Sequence, residues 1–535
     1  MFNRLQWLKI TITAAILLHF IPILSPGSNP NHPLTSNLIS GIAISRADDA
    51  DDRDYLGELN APILKITPKN KSYESYFEAW MKLNLNDPRA IKPGSDITYG
   101  SPSLKDAIAW ITEPSQQDAV NILLDKDGNN PNITFRKAFG LPYGTRDIPT
   151  EMESKQFAVY IKDDILGNAD FAYFPAYSQL WYALRVNAHH EAEMVRAGKQ
   201  SDMSTAVNSL VAAMHMGRQL CDRAFVNEMK SGMGMVVATF MEIRAFMWNY
   251  RDVLQQKDYK KLAEEMELLD LDIIKAPSAN KLIGDQLVSQ IFGKDLRPNR
   301  EVFAKTMAQF ESHNHPLQRF SATAKWRDLM PQHATYNETR NEIAVVAGDI
   351  RLHWRFAYND PDLTTPFEIK TISPVRYAIP RAIFRGIEDL FPLRQDMIVK
   401  QHGVICAAGV AGYQKRDGGS LIMGKRATGA PIALKQIQPS FVLSEEMLSD
   451  PQDPDGNKLQ YFVVTNREKI RTNVLKSFSI NTPNGKVTLV EGWPVLYSLG
   501  WDGDDDEAKR YTTRIGEDGD FIFWPPVEII AKEHK

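Results

Sequence analysis

The chain ends with a loop so rich in carboxylates that it could bind a cation. The apolar stretch 495–499 runs into Gly500-Trp501-Asp502-Gly503, and four consecutive acidic residues follow at 504–507. A polar segment then leads to Asp518-Gly519-Asp520 and to a second apolar stretch, 521–524. Ca²⁺ prefers oxygen ligands and would hold such a loop together. A solvated acidic turn is the alternative, and the pattern alone does not decide between the two.

Two short strands must position this loop, because an apolar stretch of strand length lies on each side of it. From about residue 430 onward the chain is strand-like and rich in turns, which predicts a small antiparallel β module at 431–535. We therefore expect an α+β fold in which this module follows a mainly α-helical body.

Apolar residues recur at helical spacing through the middle of the chain. Ala206, Leu210, Ala213 and Leu220 are separated by intervals near three, four and seven, which predicts helices with one apolar face. The pattern assigns 156–430 to a helical domain, either a bundle or stacked helix pairs. Seven methionines between 214 and 247 fit flexible core packing better than a copper site. A further helical block is predicted at 279–312 and 334–358, and further helices are predicted at 382–391 and 393–415.

The region before the helical domain, 48–155, is mixed and loop-rich. Seven prolines interrupt it between 62 and 131, and each disfavours a continuing helix. Short helices are predicted within it at 73–85 and 104–112.

The last helix of the helical domain carries several small residues, including Gly403, Gly409 and Gly412. Small residues let a neighbouring backbone approach closely. The apolar part of this helix is too short to cross a bilayer, so we expect tight packing inside a folded domain.

The first 47 residues have the features of an export signal. Arg4 and Lys9 precede the apolar stretch 10–24. The segment Ser45-Arg46-Ala47 offers small residues for cleavage. The segment 1–47 is either a cleaved signal peptide or an uncleaved N-terminal anchor. Both interpretations place the rest of the chain in the periplasm or on the outer face of the inner membrane, with membrane contact only through this segment.

Composition and motifs favour a non-catalytic protein. The net charge is −4, and no long Lys/Arg cluster interleaved with aromatic residues is present, so nucleic acid is not an expected partner. Cys221 and Cys406 lie in apolar contexts and are expected to be free and buried, with one disulfide between them as the alternative. The sequence contains no nucleophile elbow, Walker loop or Rossmann fingerprint.

One constellation suggests a periplasmic metal-dependent hydrolase instead. His189, His190 and Glu193 are close in sequence and could contribute metal ligands. Their spacing is not that of H-E-x-x-H, and adjacent helical residues point to different faces. A solvated helix end is the competing interpretation.

The C-terminal module resembles the C-terminal domain of the major pseudopilin of type II secretion. The resemblance covers residues 411–535 and rests on Tyr497-Ser498-Leu499-Gly500-x-Asp502-Gly503, on Asp518-x-Asp520 followed by Trp524, and on the turn 450–457. The whole chain also resembles large exported bacterial proteins of unassigned function that join a helical body to such a module. The N-terminus lacks the family's Phe-Thr-Leu-x-Glu segment, so the resemblance does not imply filament assembly.

The resemblance implies a calcium site in the acidic loop. Its ligands would be the side chains of Asp502, Asp518 and Asp520 and backbone oxygens near Ser498 and Leu499. Asp504, Asp505 and Asp506 replace a glycine-rich insert of the family and have no firm counterpart among its ligands.

Together these features favour, over the alternative of a metal-dependent hydrolase, an exported, non-catalytic scaffold or binding protein of the cell envelope. Its bound ion would be Ca²⁺, and its partners would be other envelope proteins.

Overall fold

The computed structural model describes residues 53–533 except for 88, 91–96, 98, 126–132, 293–295, 312–315, 357–365, 417–433, 439, 454, 465–477, 484, 491, 501–502 and 513–517. The predicted signal or anchor segment 1–47 and the predicted ligand Asp502 lie outside the described residues. The described chain has the predicted α+β fold, with a mainly helical body and small antiparallel sheets toward the C-terminus.

The described chain before residue 174 consists of short elements joined by loops. These elements are α1 (Tyr55–Leu64), α2 (Tyr73–Lys82), α3 (Pro102–Ile111), α4 (Pro114–Leu124), α5 (Ile133–Arg136), α6 (Thr150–Ser154), β1 (Tyr160–Ile161) and β2 (Ala169–Asp170). Pro102 and Pro114 each begin a helix, where the missing N–H would have had no helical partner. Ser101 caps α3, because its Oγ accepts a hydrogen bond from the Leu104 N–H at 3.1 Å.

The helical body contains the longest helices of the chain. Its helices are α7 (Phe174–Arg196), α8 (Ser204–Cys221), α9 (Val226–Asn249), α10 (Gln256–Glu267), α11 (Ala279–Ile291), α12 (Arg300–Glu311), α13 (Pro316–Leu329), α14 (Tyr336–His353), α15 (Glu368–Thr371), α16 (Ala378–Ile383) and α17 (Leu390–Arg416). Helix α8 packs on α9, α9 on α17, α17 on α10 and α10 on α8, so these four close into a bundle. Helix α7 packs against α8, and outside these four α12 packs against α13 and α11 against α14, so the predicted bundle describes part of the helical body.

The bundle core uses the apolar faces that the sequence predicts. Met229, Met233 and Met247 are fully buried, which confirms that these methionines are core residues. The predicted helical block is helical over 279–312 except for a break between α11 and α12, and Pro298 lies in that break. No helix among the described residues combines the length and the apolar character that spanning a bilayer requires.

The C-terminal module is built on two small sheets. Its elements are β3 (Gln460–Val463), β4 (Phe478–Thr482), β5 (Gly485–Leu489), β6 (Pro494–Ser498), β7 (Phe521–Trp524) and α18 (Val527–Glu533). Strands β3, β6 and β7 form an antiparallel sheet in that order, and β4 and β5 form an antiparallel pair. The expectation of strands and turns up to the chain's end is wrong for α18, a helix that begins directly after Pro525-Pro526.

The small residues of α17 face bulky side chains of the C-terminal region. A Cβ added to Gly403 would lie 2.2 Å from the ring of Phe523, and one added to Gly412 would lie 2.4 Å from the ring of Phe441. The predicted tight packing is therefore present. The approaching groups at these two positions are aromatic side chains, whereas the sequence suggested a neighbouring backbone.

A buried arginine also joins the body to the C-terminal module. Arg244 of α9 is fully buried and donates from Nη1 to the carbonyl oxygen of Ile522 in β7 at 2.7 Å. Its Nη2 contacts the carboxylate of Glu528 in α18. One cluster of buried apolar side chains runs from Tyr55 to Ala531, so the predicted boundaries at 155 and 430 do not coincide with breaks in the core.

Candidate metal centre

Strands β6 and β7 bring the two ends of the acidic loop together. They pair antiparallel with Ser498 opposite Phe521, and every residue of both strands is buried. Gly500 has a φ of +77°, and a Cβ on it would lie 2.0 Å from the carbonyl oxygen of Gly519. Only glycine permits this approach, so the loop 499–520 is closed tightly at its base.

Three carboxylates of this loop lie together. Asp504, Asp506 and Asp518 each offer an oxygen within 4.8 Å of the oxygens offered by the other two, with Asp506 half-buried and the others exposed. Burial raises the pKa of Asp506, and the charges of Asp518 and Asp504 raise it further. In the part of the chain that the structure describes, no other group of three His, Cys, Asp or Glu side chains has this spacing. Such a group can hold a hard cation or remain a solvated acidic cluster.

A fourth carboxylate, Asp520, is fully buried beside the loop. Its Oδ2 accepts a hydrogen bond from the Ala508 N–H at 2.7 Å, whereas its buried Oδ1 has no hydrogen-bond partner among the described residues. Burial raises the pKa of Asp520 to about 8; the Ala508 amide opposes this rise, and the charges of Asp505 and Asp506 add to it. Oδ2 of Asp506 is also buried without such a partner. Carboxylate oxygens in this situation are costly unless a proton or a cation satisfies them.

Two further contacts define the loop. The Tyr497 hydroxyl donates to Oδ1 of Asp505 at 3.0 Å, which ties the middle of the acidic run to β6. Nη1 of Arg510 contacts Oδ2 of Asp518, and the charge of Arg510 lowers the pKa of Asp506. Asp505 is therefore an anchor of the loop, and Arg510 supplies positive charge to the carboxylate group.

The structure does not bring the three predicted carboxylate ligands together in one group. Asp518 belongs to the group of three, and Asp520 lies beside the same loop with one unpartnered oxygen. Asp502 lies outside the described residues.

The predicted backbone ligands, Ser498 and Leu499, lie at the end of β6 beside a carboxylate that the sequence analysis missed. Asp450 is buried, and its Oδ1 accepts a hydrogen bond from the Ser498 hydroxyl at 2.8 Å. Its Oδ2 accepts one from the Leu499 N–H at 3.0 Å. Asp450 thus fixes the start of the loop. Its position at the head of the turn 450–457 was the one available signal, because that turn already belonged to the resemblance.

The sequence analysis also did not place Asp504 and Asp506 in this carboxylate group, because they have no firm counterpart in the resembling family. The run of acids was the available signal. It could not show which of the acids come together, because that depends on the path of the loop. Glu507 and Ala508 both have left-handed backbone conformations, with φ of 55° and 57°, which turn the chain directly after Asp506. A run of four acids does not reveal such a turn.

The alternative hydrolase site on α7 is not assembled. His189 is 2 % exposed, so a solvated helix end is the wrong interpretation for it. Its Nδ1 lies 3.2 Å from the Tyr250 hydroxyl and its Nε2 lies 3.1 Å from Oε1 of Glu242. His189, His190 and Glu193 do not form a group with metal-ligand spacing.

Other buried ionic groups of the body are also paired internally. Glu228 is fully buried and accepts hydrogen bonds from the hydroxyls of Tyr143 and Tyr173 at 2.7 and 2.8 Å. It also accepts one from Nε of Arg223 at 2.8 Å. Three buried donors therefore satisfy the Glu228 carboxylate inside the packed core.

Both cysteines are free and buried, as predicted. Burial raises the pKa of the Cys221 thiol to about 12 and raises that of Cys406 as well. Thiols that stay protonated at neutral pH are poor nucleophiles, so neither cysteine resembles a catalytic residue.

Comparisons with known proteins add no identification: no family model matches this chain, and neither a curated protein nor a solved structure matches it.

Proposed function

We propose that the protein is an exported, non-catalytic scaffold or binding protein of the cell envelope whose C-terminal module is braced by calcium. The observation that supports this most directly is the convergence of Asp504, Asp506 and Asp518 beside the buried, unpartnered Oδ1 of Asp520. A divalent cation would offset the repulsion among these carboxylates and satisfy the unpartnered oxygens. The loop would then hold β6 and β7 in their observed register.

The chemistry of the donors favours calcium among the common divalent ions. The group offers carboxylate oxygens alone, whereas structural zinc sites use cysteine and histidine. Magnesium demands a strict octahedron at about 2.0–2.1 Å, whereas calcium accepts six to eight oxygens at about 2.3–2.6 Å in a flexible arrangement. A long loop with exposed carboxylates suits the larger and less demanding ion.

The internal pairing of buried charges supports a scaffold rather than an enzyme. The network around Glu228 and the contacts of His189 with Glu242 and Tyr250 serve the packing of the bundle. The helical body would then present surfaces to partners, and we propose that these are other envelope proteins. Export is proposed from residues 1–47. Full-length protein recovered from the cytosol of the native host would contradict export.

Isothermal titration of the chelator-treated full chain with CaCl₂ tests the calcium site. We expect one calcium ion per chain and weaker binding of magnesium. Asp518→Asn removes a ligand and should weaken binding by about tenfold or more, equivalent to about 1.4 kcal/mol.

Glu507→Gln is the matched control, because it removes one acid from the same loop but outside the carboxylate group. Glu507 is exposed and pairs with Lys509. Its substitution should leave the affinity within about twofold of wild type, since an exposed charge outside the carboxylate group is screened by solvent and salt. Equal losses in the two variants, or no binding by the wild type, would contradict the assignment.

No observation in the described residues favours the alternative, a metal-dependent hydrolase. Stoichiometric zinc in the purified protein that is lost in His190→Ala would favour it, and would contradict the scaffold proposal.

A further inference from the structure

We propose that the outer face of α14 is a membrane-contact surface that binds the anionic headgroups of a lipid bilayer. This surface, the α14 face, consists of Arg340, Val345, Arg351 and Leu352 on the helix and of Arg355 in the turn that follows it. It uses no residue of the calcium site, and it adds a second membrane contact to the one expected from the N-terminal segment.

The arginines and the aliphatic residues form two adjacent rows along one side of the helix. Val345 and Leu352 are seven residues apart, and Arg340 and Arg351 are eleven apart, which is close to two and three helical turns. Val345 and Leu352 are 52 % and 54 % exposed, and all three arginines are exposed. Single exposed aliphatic residues are ordinary, but these two lie beside a row of cations along about 18 Å of helix.

The described residues do not neutralise the charges of the α14 face. Arg340 donates to the Tyr336 hydroxyl and Arg351 to the Ala347 carbonyl oxygen, each at 3.1 Å, and both acceptors are neutral. None of the three arginines forms an ion pair with a described carboxylate. Arg340 lies near the positive end of the helix dipole, where a cation does not stabilise the helix. Its charge is therefore available to an anionic partner.

The three acids of α14 lie outside this face. Glu338 pairs with Arg376, whose Nη2 lies 2.6 Å from Oε1 of the glutamate. An oxygen of Asp349 lies 3.1 Å from Nδ1 of His353, and Glu342 is half-buried. The outward side of the helix is therefore cationic as a whole.

The chain enters the body beside α14. The described residues begin at Arg53, whose Nη1 lies 3.4 Å from Oδ2 of Asp285 in α11. Helix α14 packs on the same part of α11, because Cδ1 of Ile343 lies 3.1 Å from a Cβ built on Gly284. Helices α1 and α14 thus both contact α11. Residues 1–52, which include the predicted signal or anchor, therefore join the body within about 20 Å of α14.

An anionic bilayer fits the α14 face better than other occupants do. Each arginine near an anionic lipid surface strengthens binding about fivefold, so three together contribute about a hundredfold. The two aliphatic side chains can enter the interface while the guanidinium groups stay at the level of the headgroups. A second copy on the same face would bring arginines against arginines, and like charges oppose association.

Fluorescence of labelled full-length protein in vesicles tests this surface. An environment-sensitive dye is attached to Leu352→Cys or, as the matched control, to Val490→Cys, because Val490 is also 54 % exposed but directly follows β5 in the C-terminal module. The native thiols of Cys221 and Cys406 are buried and should not react. Each protein is reconstituted with chelator into vesicles of phosphatidylcholine, with or without one quarter of phosphatidylglycerol. We expect a blue shift and quenching by a lipid-borne quencher only for the dye at 352, and only in anionic vesicles.

Replacement of Arg340, Arg351 and Arg355 by glutamine should weaken the contact about a hundredfold and remove most of this shift. The control replaces Lys105, Lys155 and Lys199, which are exposed elsewhere, by glutamine and should keep the shift. The comparison of the dye at 352 with the dye at 490 needs no arginine variant. It therefore decides the question even if the triple arginine variant does not fold.

Several results would overturn the membrane assignment. The dye at 352 would stay in water in anionic vesicles, would shift equally without anionic lipid, or would shift no more than the dye at 490. Equal losses in the two triple variants would also overturn it, because net charge alone would explain them. So would a dye at 352 that is shielded from aqueous iodide before vesicles are added, which would show that a second copy or another part of the chain covers the face.

A shift caused by poly-L-glutamate but not by vesicles would assign the α14 face to an acidic protein segment and would likewise overturn the membrane assignment. Chelator is present and the vesicles are supplied, so no outcome depends on calcium binding or on export. The proposed calcium site and the α14 face can therefore fail separately.

Discussion

Replacement of Asp520 by asparagine should stabilise the protein when calcium is absent and remove most of its stabilisation by calcium. The substitution keeps the size of the side chain, and the asparagine oxygen can still accept the 2.7 Å hydrogen bond from the Ala508 N–H. It removes a carboxylate whose Oδ1 is buried without a partner. An amide costs less to bury at that position than a charge does.

The magnitude follows from the pKa of Asp520, which burial raises from 3.8 to about 8. The folded state keeps a proton that the unfolded state releases between these values, so the free energy of unfolding falls as pH rises from about 4 to about 8. At pH 7, about three pH units above 3.8, keeping this proton lowers the free energy of unfolding by about 4 kcal/mol. The loop beside Asp520 is partly open to solvent, and screening lowers the expected gain for Asp520→Asn to about 2 kcal/mol.

Urea unfolding of the full chain at pH 7 measures the stability of wild type and variant. Each protein is unfolded once with chelator and once with calcium a hundredfold above the Kd of the wild type. Wild type should gain about 2.7 kcal/mol from calcium, and the variant should gain less than about 1 kcal/mol. Glu507→Gln serves as the control and should respond to calcium like wild type. An Asp520→Asn protein that is less stable than wild type in chelator, or that keeps the full calcium gain, would refute the reasoning.

Three further predictions concern the body and its junction with the C-terminal module. Gly403→Ala places a Cβ 2.2 Å from the Phe523 ring and should destabilise the fold by about 2 kcal/mol in chemical unfolding. Gly348→Ala is the control: no atom lies within 4 Å of the added Cβ, so this substitution should be neutral or stabilising. Burial lowers the pKa of His333 to about 4, so the protein should lose stability as pH falls from about 6.5 to 4. In melting experiments over that pH range, a His333→Gln variant should lose less stability than wild type. Arg244→Ala leaves the buried Ile522 carbonyl oxygen of β7 without this donor and removes the ion pair with the half-buried Glu528 of α18, so it should lower stability by about 3 kcal/mol in thermal unfolding. A loss below about 1 kcal/mol would show that the junction does not depend on Arg244.

The helices could be predicted because their signal is local. Apolar residues at helical spacing placed α14 and α17 within a few residues of their observed bounds, and a proline pattern marked the loop-rich N-terminal region. The break between α11 and α12 was missed, although Pro298 lies within it. The packing of Gly403 against Phe523 could not be foreseen, because it joins residues far apart in sequence, and spacing along a chain carries no information on such contacts.

The site was predictable as a loop but not as a set of ligands. Alternation of apolar strands and acids located the loop, and the resemblance selected Asp518 and Asp520, which the structure places in and beside the carboxylate group. Asp504 and Asp506 converge because of the left-handed turn at 507–508, which requires coordinates to recognise. Ser498 and Leu499, which donate to Asp450 at the start of the loop, lie 48 and 49 residues from it, so only the folded chain reveals these contacts.

The most direct test of the calcium site is a crystal structure of the full chain grown with calcium, with an anomalous difference map at a wavelength where calcium scatters. We predict one peak per chain with carboxylate oxygens of Asp504, Asp506, Asp518 and Asp520 at about 2.3–2.6 Å. A map without a peak in the 499–520 loop, at a calcium concentration far above that of any measured binding, would contradict the assignment of this loop as a metal centre.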